Sequence, residues 1–362
     1  MLIKDVIDSK AIALRSSEVA SNKIPYLGLQ FFPEAKKEGL DLKWIKTSKG
    51  LPVILKPSNF DAIPTLRARE GLSTEKTQMA FFRESMQITE EDEQEIARIN
   101  EANDPYLAAA LRSIYNDTDT LVSAAEVVPE VMRMSLLTGQ NIVLSSDGVN
   151  YTYDYDPSTA WASTNYLSLS GTSMWNDTTN ATPLTDLNTA RKTLAKKGYI
   201  MRYALMNSNT FEYLINNAQV KSSILAQNLT ATIFPTDEDI KAVVKNRTML
   251  TVVLYDKMYK DYSGAEQYFY PDNFVTLLPE GTLGNTWFGT TPEERTARQV
   301  ADVDVTQYGT GISVAVKTEY GPPAKTSVTA SEIVLPSFEG MDSVYVMKVY
   351  TAGSTTTETG EE

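Results

Sequence analysis

The sequence predicts an α+β fold, in which helical and strand-forming stretches occupy separate parts of the chain. A helical pattern covers residues 119–137, and an Asp147-Gly148 turn separates two alternating strands just after it. Three long strand-like segments follow near the end of the chain, at 301–308, 311–320 and 343–350. Stretches of helix and strand that are grouped in this way are typical of the α+β class.

The composition excludes several kinds of chemistry. The 362 residues include no cysteine and no histidine, so disulfides, thiolate metal sites, cysteine nucleophiles and Ser-His-Asp triads are excluded. The net charge of −13 repels phosphate backbones, so tight nucleic-acid binding by the whole surface is not expected. No apolar run approaches the roughly 18 residues of a membrane-spanning helix. We therefore expect no cofactor, no metal and no membrane partner.

The stretch before residue 88 predicts an extended arm and a thin hairpin. Leu42 and Trp44 alternate as in a strand, a turn is expected at 48–50, and a second strand at 51–55. Five aromatic residues lie in these segments: Phe31, Phe32, Trp44, Phe81 and Phe82. An arm or a thin hairpin rarely buries such side chains against itself, so we expect another structure to cover them.

Helices are predicted next. Thr89 with Asp92 resembles a capping box, and Asp104-Pro105 is an N-cap followed by proline at the first helical position. A separate, longer helix is expected at 119–137, with Gly139 as its C-cap and with Pro129 bending or dividing it. Its predicted buried face consists of Leu121, Ala124, Ala125, Val128, Val131, Met132 and Ser135.

The second half of the chain predicts a mixed section. Residues 158–182 are rich in Ser, Thr and Asn and predict a loop or an insertion. Helices are expected at 184–197, from Asn209 and from Thr236. The predicted strands are 200–206, 249–254, 266–270 and 273–278.

A glycine-rich segment, LLPEGTLGNTWFGTTPEE at 277–294, resembles a phosphate loop only superficially. Gly281, Gly284 and Gly289 match neither known phosphate-binding spacing, and no lysine follows them. We interpret them as loop geometry, either a positive φ angle or a close approach of two backbones.

Asp302 and Asp304 are the one pair of carboxylates considered for catalysis. They lie two residues apart and so share one face of a predicted strand. Acid-base work and a salt bridge to a neighbour both remain open, and the second is favoured because no other catalytic group lies nearby in the sequence.

Several segments resemble the phage major capsid protein E family of tailed bacteriophages. YLGLQFFPEAKKEGLDLKWIK, LKPSNFDAIPTLRAREG and MAFFRESMQITEED resemble its arm and extended loop. MRMSLLTGQNIVLSSDGVNYTYDYD is similar to its helix end and hairpin, LPEGTLGNTWFGTTPEE to its glycine-rich segment, and VTASEIVLPSFEGMDSVYVMKV to its closing strands. The segments occur in the family's order.

This resemblance implies a fold of the Hong Kong 97 type and a division of the chain. The implied parts are an N-terminal arm at 1–41, an extended loop at 42–88, a first part of the peripheral domain with spine helix and hairpin at 89–182, an axial domain at 183–299, peripheral return strands at 300–350, and a flexible tail at 351–362.

It also implies a structural protein without enzymatic activity. Copies of the chain would form pentamers and hexamers of an icosahedral shell around double-stranded DNA, touching the DNA only weakly. The arm and extended loop would lie across neighbouring subunits, which makes the five aromatic residues expected inter-subunit contacts. A scaffolding protein, a portal and a decoration protein are the implied partners, in the virion and, during assembly, in the host cytoplasm.

Three alternatives remain open. One is a compartment of the same fold that resembles an encapsulin and holds a cargo enzyme. Another is an enzyme that uses Asp302 and Asp304. The third is a cell-surface binding protein, which the absence of a recognisable signal sequence disfavours.

Overall fold

The computed structural model describes residues 9–10, 12–13, 25–46, 73–88, 105–146, 148–225, 236–299, 304–319 and 325–351. Their contacts divide them into two compact units. Unit 1 comprises the described residues within Met1–Ile45, Thr74–Arg133 and Gly284–Glu339, and unit 2 those within Lys46–Ser73, Met134–Leu283 and Gly340–Glu362.

The helices of the described residues are α1 (Gly28–Phe31), α2 (Pro105–Leu137), α3 (Ala162–Asn165), α4 (Pro183–Lys196), α5 (Ser208–Asn216), α6 (Ala218–Leu225), α7 (Asp237–Thr248) and α8 (Pro292–Gln299). Short 3-10 turns lie at Gly171–Ser173 and Met341–Ser343. No helix in the described part of the chain has both the length and the apolar content needed to cross a membrane.

The strands before residue 270 are β1 (Glu34–Lys36), β2 (Asp41–Lys46), β3 (Ser73–Gln78), β4 (Ala80–Ile88), β5 (Ile142–Ser146), β6 (Val149–Tyr153), β7 (Tyr166–Ser168), β8 (Met201–Met206), β9 (Thr251–Leu254), β10 (Met258–Lys260) and β11 (Glu266–Tyr268). Those after it are β12 (Phe274–Pro279), β13 (Thr286–Phe288), β14 (Asp304–Tyr308), β15 (Ile312–Glu319), β16 (Lys325–Pro336) and β17 (Tyr345–Lys348).

Unit 1 is built on a six-stranded sheet in the order β1-β13-β16-β15-β14, with β4 also paired to β16. All nine residues of β4 pair antiparallel with residues 326–334 of β16. This strand lies within the extended loop expected at 42–88, and in the structure it pairs with β16 of the main sheet. Its two ends, Ala80 and Ile88, are buried, which favours a sheet position over a free loop.

Helix α2 is longer than the sequence predicts. The expected separate start at Asp119 is wrong, because one helix runs from Pro105 to Leu137 and continues through Pro129. The residues after Pro105 are good helix formers, so nothing interrupts the helix before Asp119. Its predicted end is confirmed, since Gly139 follows it with a φ angle of +66°.

The buried face of α2 also differs from the predicted one. Leu121 and Met132 are buried as expected, but Ala124 is exposed. Instead, Glu130 and Arg133 are buried within unit 1. The apolar part of the unit 1 core joins α2 to the sheet and to residue 12, through Ile12, Ile88, Leu121, Val122, Val314, Val316, Val328 and Ala330.

Unit 2 contains a five-stranded sheet in the order β7-β17-β12-β8-β9. Four of its strands, β8, β9, β12 and β17, agree with predicted segments to within a few residues, whereas β7 was not predicted. Helix α4 ends before Gly198 as predicted. The capping box of Thr236 and Asp239 is confirmed at the start of α7. The N-cap of α5 is Asn207 rather than Asn209, because the Asn207 side chain accepts the hydrogen bond from Thr210 N.

Residues 158–182 are not the simple loop that their composition predicts. They form α3, β7 and a 3-10 turn, and β7 pairs in parallel with β17. Trp175 is fully buried in the unit 2 core. A tryptophan buries a large apolar area, and this anchors a segment that is otherwise polar.

The predicted hairpin around Gly148 is confirmed, because Ser146 pairs with Val149 and Gly148 has a φ angle of +81°. Other predictions fall outside the described residues: the turn at 48–50, the strand at 51–55, the capping box at Thr89 and Asp92, Asp302, and the tail from 352 onward.

Candidate assembly site: the arm, the long helix and the glycine loop

The arm is attached to unit 1 by strand pairing. β1 runs parallel to β13, with Glu34 opposite Thr286 and Lys36 opposite Phe288. At the two ends of this pairing, Thr286 N donates to Pro33 O at 2.9 Å and Lys37 N donates to Phe288 O at 2.8 Å. The arm is therefore the edge strand of the sheet in this structure.

The five aromatic residues have different surroundings. Phe32 is fully buried and meets the Phe338 ring edge to face, with 5.5 Å between the ring centroids. Phe31 and Trp44 are also buried. The premise that these three side chains lack cover within their own chain is therefore wrong. Their role as inter-subunit contacts stays a prediction.

Phe81 and Phe82, by contrast, are only half-buried on β4. The Arg83 guanidinium lies 4.8 Å from the centroid of the Phe81 ring, and it also forms a 2.6 Å salt bridge with Glu293 of α8. These two aromatic residues retain apolar surface that a neighbouring chain could cover.

The glycine-rich segment shows both conditions that require glycine. Gly281 has a φ angle of +101°, which L-residues rarely adopt. At Gly284 and Gly289 the cause is close approach, since a Cβ atom at Gly284 would overlap the Ser337 carbonyl and one at Gly289 would meet Ile333. Gly289 N also donates to Ile333 O at 2.8 Å.

The two neighbouring aromatic residues of this segment, Trp287 and Phe288, differ in burial. Phe288 is buried, while Trp287 is half-buried and donates from Nε1 to Ser337 Oγ at 3.1 Å. The segment therefore brings β13 close to the end of β16 and presents backbone groups to the arm.

A buried polar network joins α2, the arm and β13. Glu130 Oε1 accepts a hydrogen bond from Gly28 N at 2.9 Å, and Glu130 Oε2 lies 3.3 Å from Arg133 Nη1. Arg133 Nε donates to Thr286 Oγ1 at 2.8 Å, and that hydroxyl donates to Phe32 O at 2.9 Å. Glu130 is 0% and Arg133 2% exposed, so this ion pair is almost free of solvent screening.

The arm contributes a second carboxylate to this network. Glu34 Oε1 lies 3.6 Å from Arg133 Nη2, and Glu34 Oε2 accepts from Thr310 Oγ1 at 2.6 Å. Two residues further on, Lys36 pairs with the mostly buried Glu294 at 2.8 Å. Charged contacts thus hold the arm at the first and the last residue of β1.

Glu332, in β16, is the least satisfied group near this network. It is fully buried, and neither carboxylate oxygen has a hydrogen-bond partner among the described residues. Burial raises the pKa of Glu332 well above its usual range, and the positive charge of Arg133 only partly opposes this shift.

Sequence reasoning missed these residues for identifiable reasons. Glu130 and Arg133 have the i,i+3 spacing of an ordinary surface ion pair. Glu332 did carry a signal, because it is the lone carboxylate of β16 and directly precedes the apolar run Ile333–Leu335. A glycine at position 28 gives no sequence clue to its partner, although a Cβ atom there would overlap Glu130.

A cavity of about 420 Å³ lies beside the network in unit 1. Its wall includes Tyr26, Glu126, Pro129 and Tyr308. Tyr308 donates to Glu126 Oε1 at 2.8 Å, and burial, followed by that hydrogen bond, raises the pKa of the Tyr308 hydroxyl.

The structure describes one of the two candidate catalytic carboxylates, Asp304. Asp304 accepts hydrogen bonds from Ser9 N at 3.0 Å and Ser9 Oγ at 2.5 Å, while Asp302 lies outside the described part of the chain. Asp304 therefore tethers residue 9 to β14. Within the described residues, no group of three or more acidic side chains could hold a metal ion.

Comparison with solved structures supports the fold. A prophage protein of Escherichia coli CFT073 assigned to the capsid is 14% identical with a TM-score of 0.58, over 95% of this chain and 99% of that one. A phage-related protein of Bordetella bronchiseptica RB50 is 11% identical with a TM-score of 0.54, over 94% and 97%. The capsid subunit of cyanophage A-1(L) is 12% identical with a TM-score of 0.50, over 91% and 93%.

A search of curated proteins found no matching relative. The model of the family described as phage major capsid protein E matches residues 14–309, which is most of the chain. This range contains β1, α2, the β5-β6 hairpin and the glycine-rich segment. The sequence resemblance and the α+β capsid fold are thus both confirmed, and the chain belongs to the phage major capsid protein E family.

Proposed function

We propose that the protein is the major capsid subunit of a tailed phage and that its copies assemble as pentamers and hexamers into an icosahedral shell around double-stranded DNA. The observation that carries the proposal is the family match over residues 14–309. The fold that this chain shares with the cyanophage A-1(L) capsid subunit is consistent with it.

Physical features of the chain suit a shell protein. Its net charge of −13 lets it enclose dense DNA with only weak, non-specific contact. Phe81 and Phe82 are half-buried on β4 and leave apolar surface, and such surface can mark a contact with another copy. In this proposal, the arm and the extended loop cross neighbouring subunits and contribute those contacts.

The proposed function also includes partner proteins and a site of assembly. The subunit would act as a structural protein rather than an enzyme. It would assemble in the host cytoplasm with a separate scaffolding protein and a portal, and a decoration protein could strengthen the finished shell. The division into arm, extended loop, peripheral domain and axial domain, at the boundaries given above, belongs to the same proposal.

Negative-stain electron microscopy of the purified protein, alone and co-expressed with its scaffolding protein, tests this function. Closed particles or rings of capsomer size are expected. A species that stays monomeric at all concentrations near physiological salt would contradict the proposal. Co-purification of a cargo enzyme, with neither DNA nor scaffold, would favour a compartment instead.

The carboxylate alternative has its own test, the replacement of Asp302 and Asp304 by Asn. Loss of an enzymatic activity with intact assembly would support catalysis. Because Asp304 holds Ser9 through two hydrogen bonds, we expect the double variant to weaken folding or assembly and to reveal no activity.

A further inference from the structure

Glu332 is buried where a charge is not tolerated without a partner. It lies in β16, opposite Phe82 of β4, and both of its oxygens lack a hydrogen bond among the described residues. An ionised carboxylate in such a position costs several kcal/mol, of the order found for buried unpaired ions. Burial without a hydrogen-bond partner therefore favours the neutral acid of Glu332 over its carboxylate.

The groups around Glu332 come from α2, the arm and β14. Side chains alternate along β16, so Glu332 shares the face of Val328 and Ala330, which pack on α2. Arg133, Glu126 and Glu34 act on it electrostatically. Glu130 is the other partner of Arg133. Tyr308 of β14 and Tyr26 of the arm lie beside Glu126, in the wall of the cavity.

The charges on the opposite face of β16 are already paired. Ser331 points to that face and donates to Glu293 of α8 at 2.7 Å. Glu293 in turn forms a salt bridge with Arg83 of β4 at 2.6 Å. Among the described residues, Arg133 is the cation whose charge acts on Glu332.

The Arg133 guanidinium can donate a further hydrogen bond to an ionised Glu332 carboxylate. Its Nη2 has no hydrogen bond within the described residues and lies 3.6 Å from Glu34 Oε1, too far for a strong one. Arg133 nevertheless holds the arm through two routes, the carboxylate of Glu34 and the hydroxyl of Thr286, which donates to Phe32 O. Any shift of its guanidinium toward β16 weakens these arm contacts.

We propose that Glu332 and Arg133 form a proton-controlled latch for the N-terminal arm. While Glu332 is neutral, Arg133 stays with Glu130, Glu34 and Thr286, and the arm remains seated. When Glu332 loses its proton, its carboxylate draws the guanidinium away, and residues 28–36 loosen from α2 and β13. The proposal concerns the single chain and does not depend on the shell function.

The direction of the pH dependence follows from the sign of the shift. The pKa of Glu332 is raised in the seated state, so that state binds its proton more tightly than a state with Glu332 in water. The stabilisation is fully present below the ordinary glutamate pKa of about 4.3 and is lost as the pH rises through the raised value. Seating is thus favoured by acid, the reverse of the usual behaviour of a carboxylate in a salt bridge.

Hydrogen exchange on the full-length chain tests the latch. The reporters are the amides of Gly28, Phe32 and Lys37, all hydrogen-bonded in the seated arm. After correction for intrinsic exchange, their protection should fall as the pH rises above the ordinary glutamate pKa of about 4.3 and through the raised pKa of Glu332, by at most about tenfold per pH unit for one proton. Amides of β8 and β12 in unit 2 should not follow this trend.

Matched variants identify the responsible group. Glu332→Gln should keep the arm protected at both ends of the pH range, whereas Glu319→Gln, at an exposed site paired with Lys317, should behave as the wild type. A Glu332→Gln protein that keeps the wild-type pH dependence would overturn the latch, as would a wild-type arm whose protection does not change with pH.

A second measurement uses only the wild-type chain, so it does not depend on whether a variant folds. Infrared spectroscopy should show the C=O band of a protonated carboxyl group at pH values where ordinary glutamates are ionised. This band should disappear over the same pH range in which arm protection is lost. If no such band exists, Glu332 is ionised in the seated state and the proposal fails.

Discussion

The carboxylate of Glu130, in the middle of the long helix, accepts a hydrogen bond from the backbone N–H of Gly28 in the arm at 2.9 Å. The carboxylate is fully buried, and a Cβ atom at position 28 would overlap it. The N-terminal arm is therefore attached to unit 1 by a specific polar contact as well as by strand pairing.

Glu130→Ala should destabilise the protein by about 3–5 kcal/mol, because it leaves Arg133 buried with one partner fewer. Urea unfolding monitored by circular dichroism measures this change. Glu84→Ala on the exposed side of β4 is the control and should stay within about 0.5 kcal/mol of wild type. Equal small effects of both substitutions would show that the network adds little to stability.

Gly284→Val should damage folding or assembly, since the added side chain would overlap the Ser337 carbonyl. Overpacking costs typically about 1–3 kcal/mol and occasionally more, and a clash with a backbone carbonyl, which cannot move aside easily, belongs at the upper end. Gly281→Ala meets no atom and should cost only about 1–2 kcal/mol, for its left-handed backbone. Thermal unfolding compares the two, and a smaller loss at Gly284 would contradict the close approach. No added nucleotide should protect this loop from proteolysis.

Phe32→Ala should mainly lower the stability of the subunit, whereas Phe82→Ala should mainly lower the yield of shells. Phe32 is fully buried against Phe338, so its truncation should cost about 3–5 kcal/mol in the free energy of unfolding. Phe82 is half-buried, and its truncation should reduce shell yield more than subunit stability. The two readouts are the unfolding midpoint and the sedimenting fraction. Wild-type shell yield from the Phe82 variant would remove that residue from the inter-subunit contacts.

Thr236→Ala should weaken α7 by about 1 kcal/mol, because it removes the capping box with Asp239. Thr189→Ala on the exposed side of α4 is a suitable comparison, because its hydroxyl only bonds back to Thr185 O. That second substitution should change stability by no more than about 0.5 kcal/mol. Urea unfolding compares the stability losses of the two variants. Equal losses would show that any threonine hydroxyl has this effect and that the cap adds nothing specific.

Local signals predicted much of the fold. The Asp147-Gly148 turn, the Thr236 cap and the end of α2 before Gly139 are set by neighbouring residues, so the sequence alone identifies them. The position of β4 in the main sheet depends on its partner β16, about 240 residues away. Strand pairing over such a separation leaves no local pattern.

The candidate site was less predictable for the same reason. The three glycines were recognised as loop geometry, but the backbone that approaches Gly284 belongs to Ser337. Glu130 and Arg133 looked like surface charges because helical periodicity assigns polar residues to solvent. Only the folded arm, which brings Gly28 and Glu34 to them, makes these charges a buried network.

Native mass spectrometry of the purified 40.1 kDa chain at assembly concentrations tests the central claim most directly. If the protein is a capsid subunit, the spectrum should show closed oligomers of five and six copies, together with much larger shells. A spectrum that contains only the monomer at every concentration, with or without scaffolding protein, would contradict it.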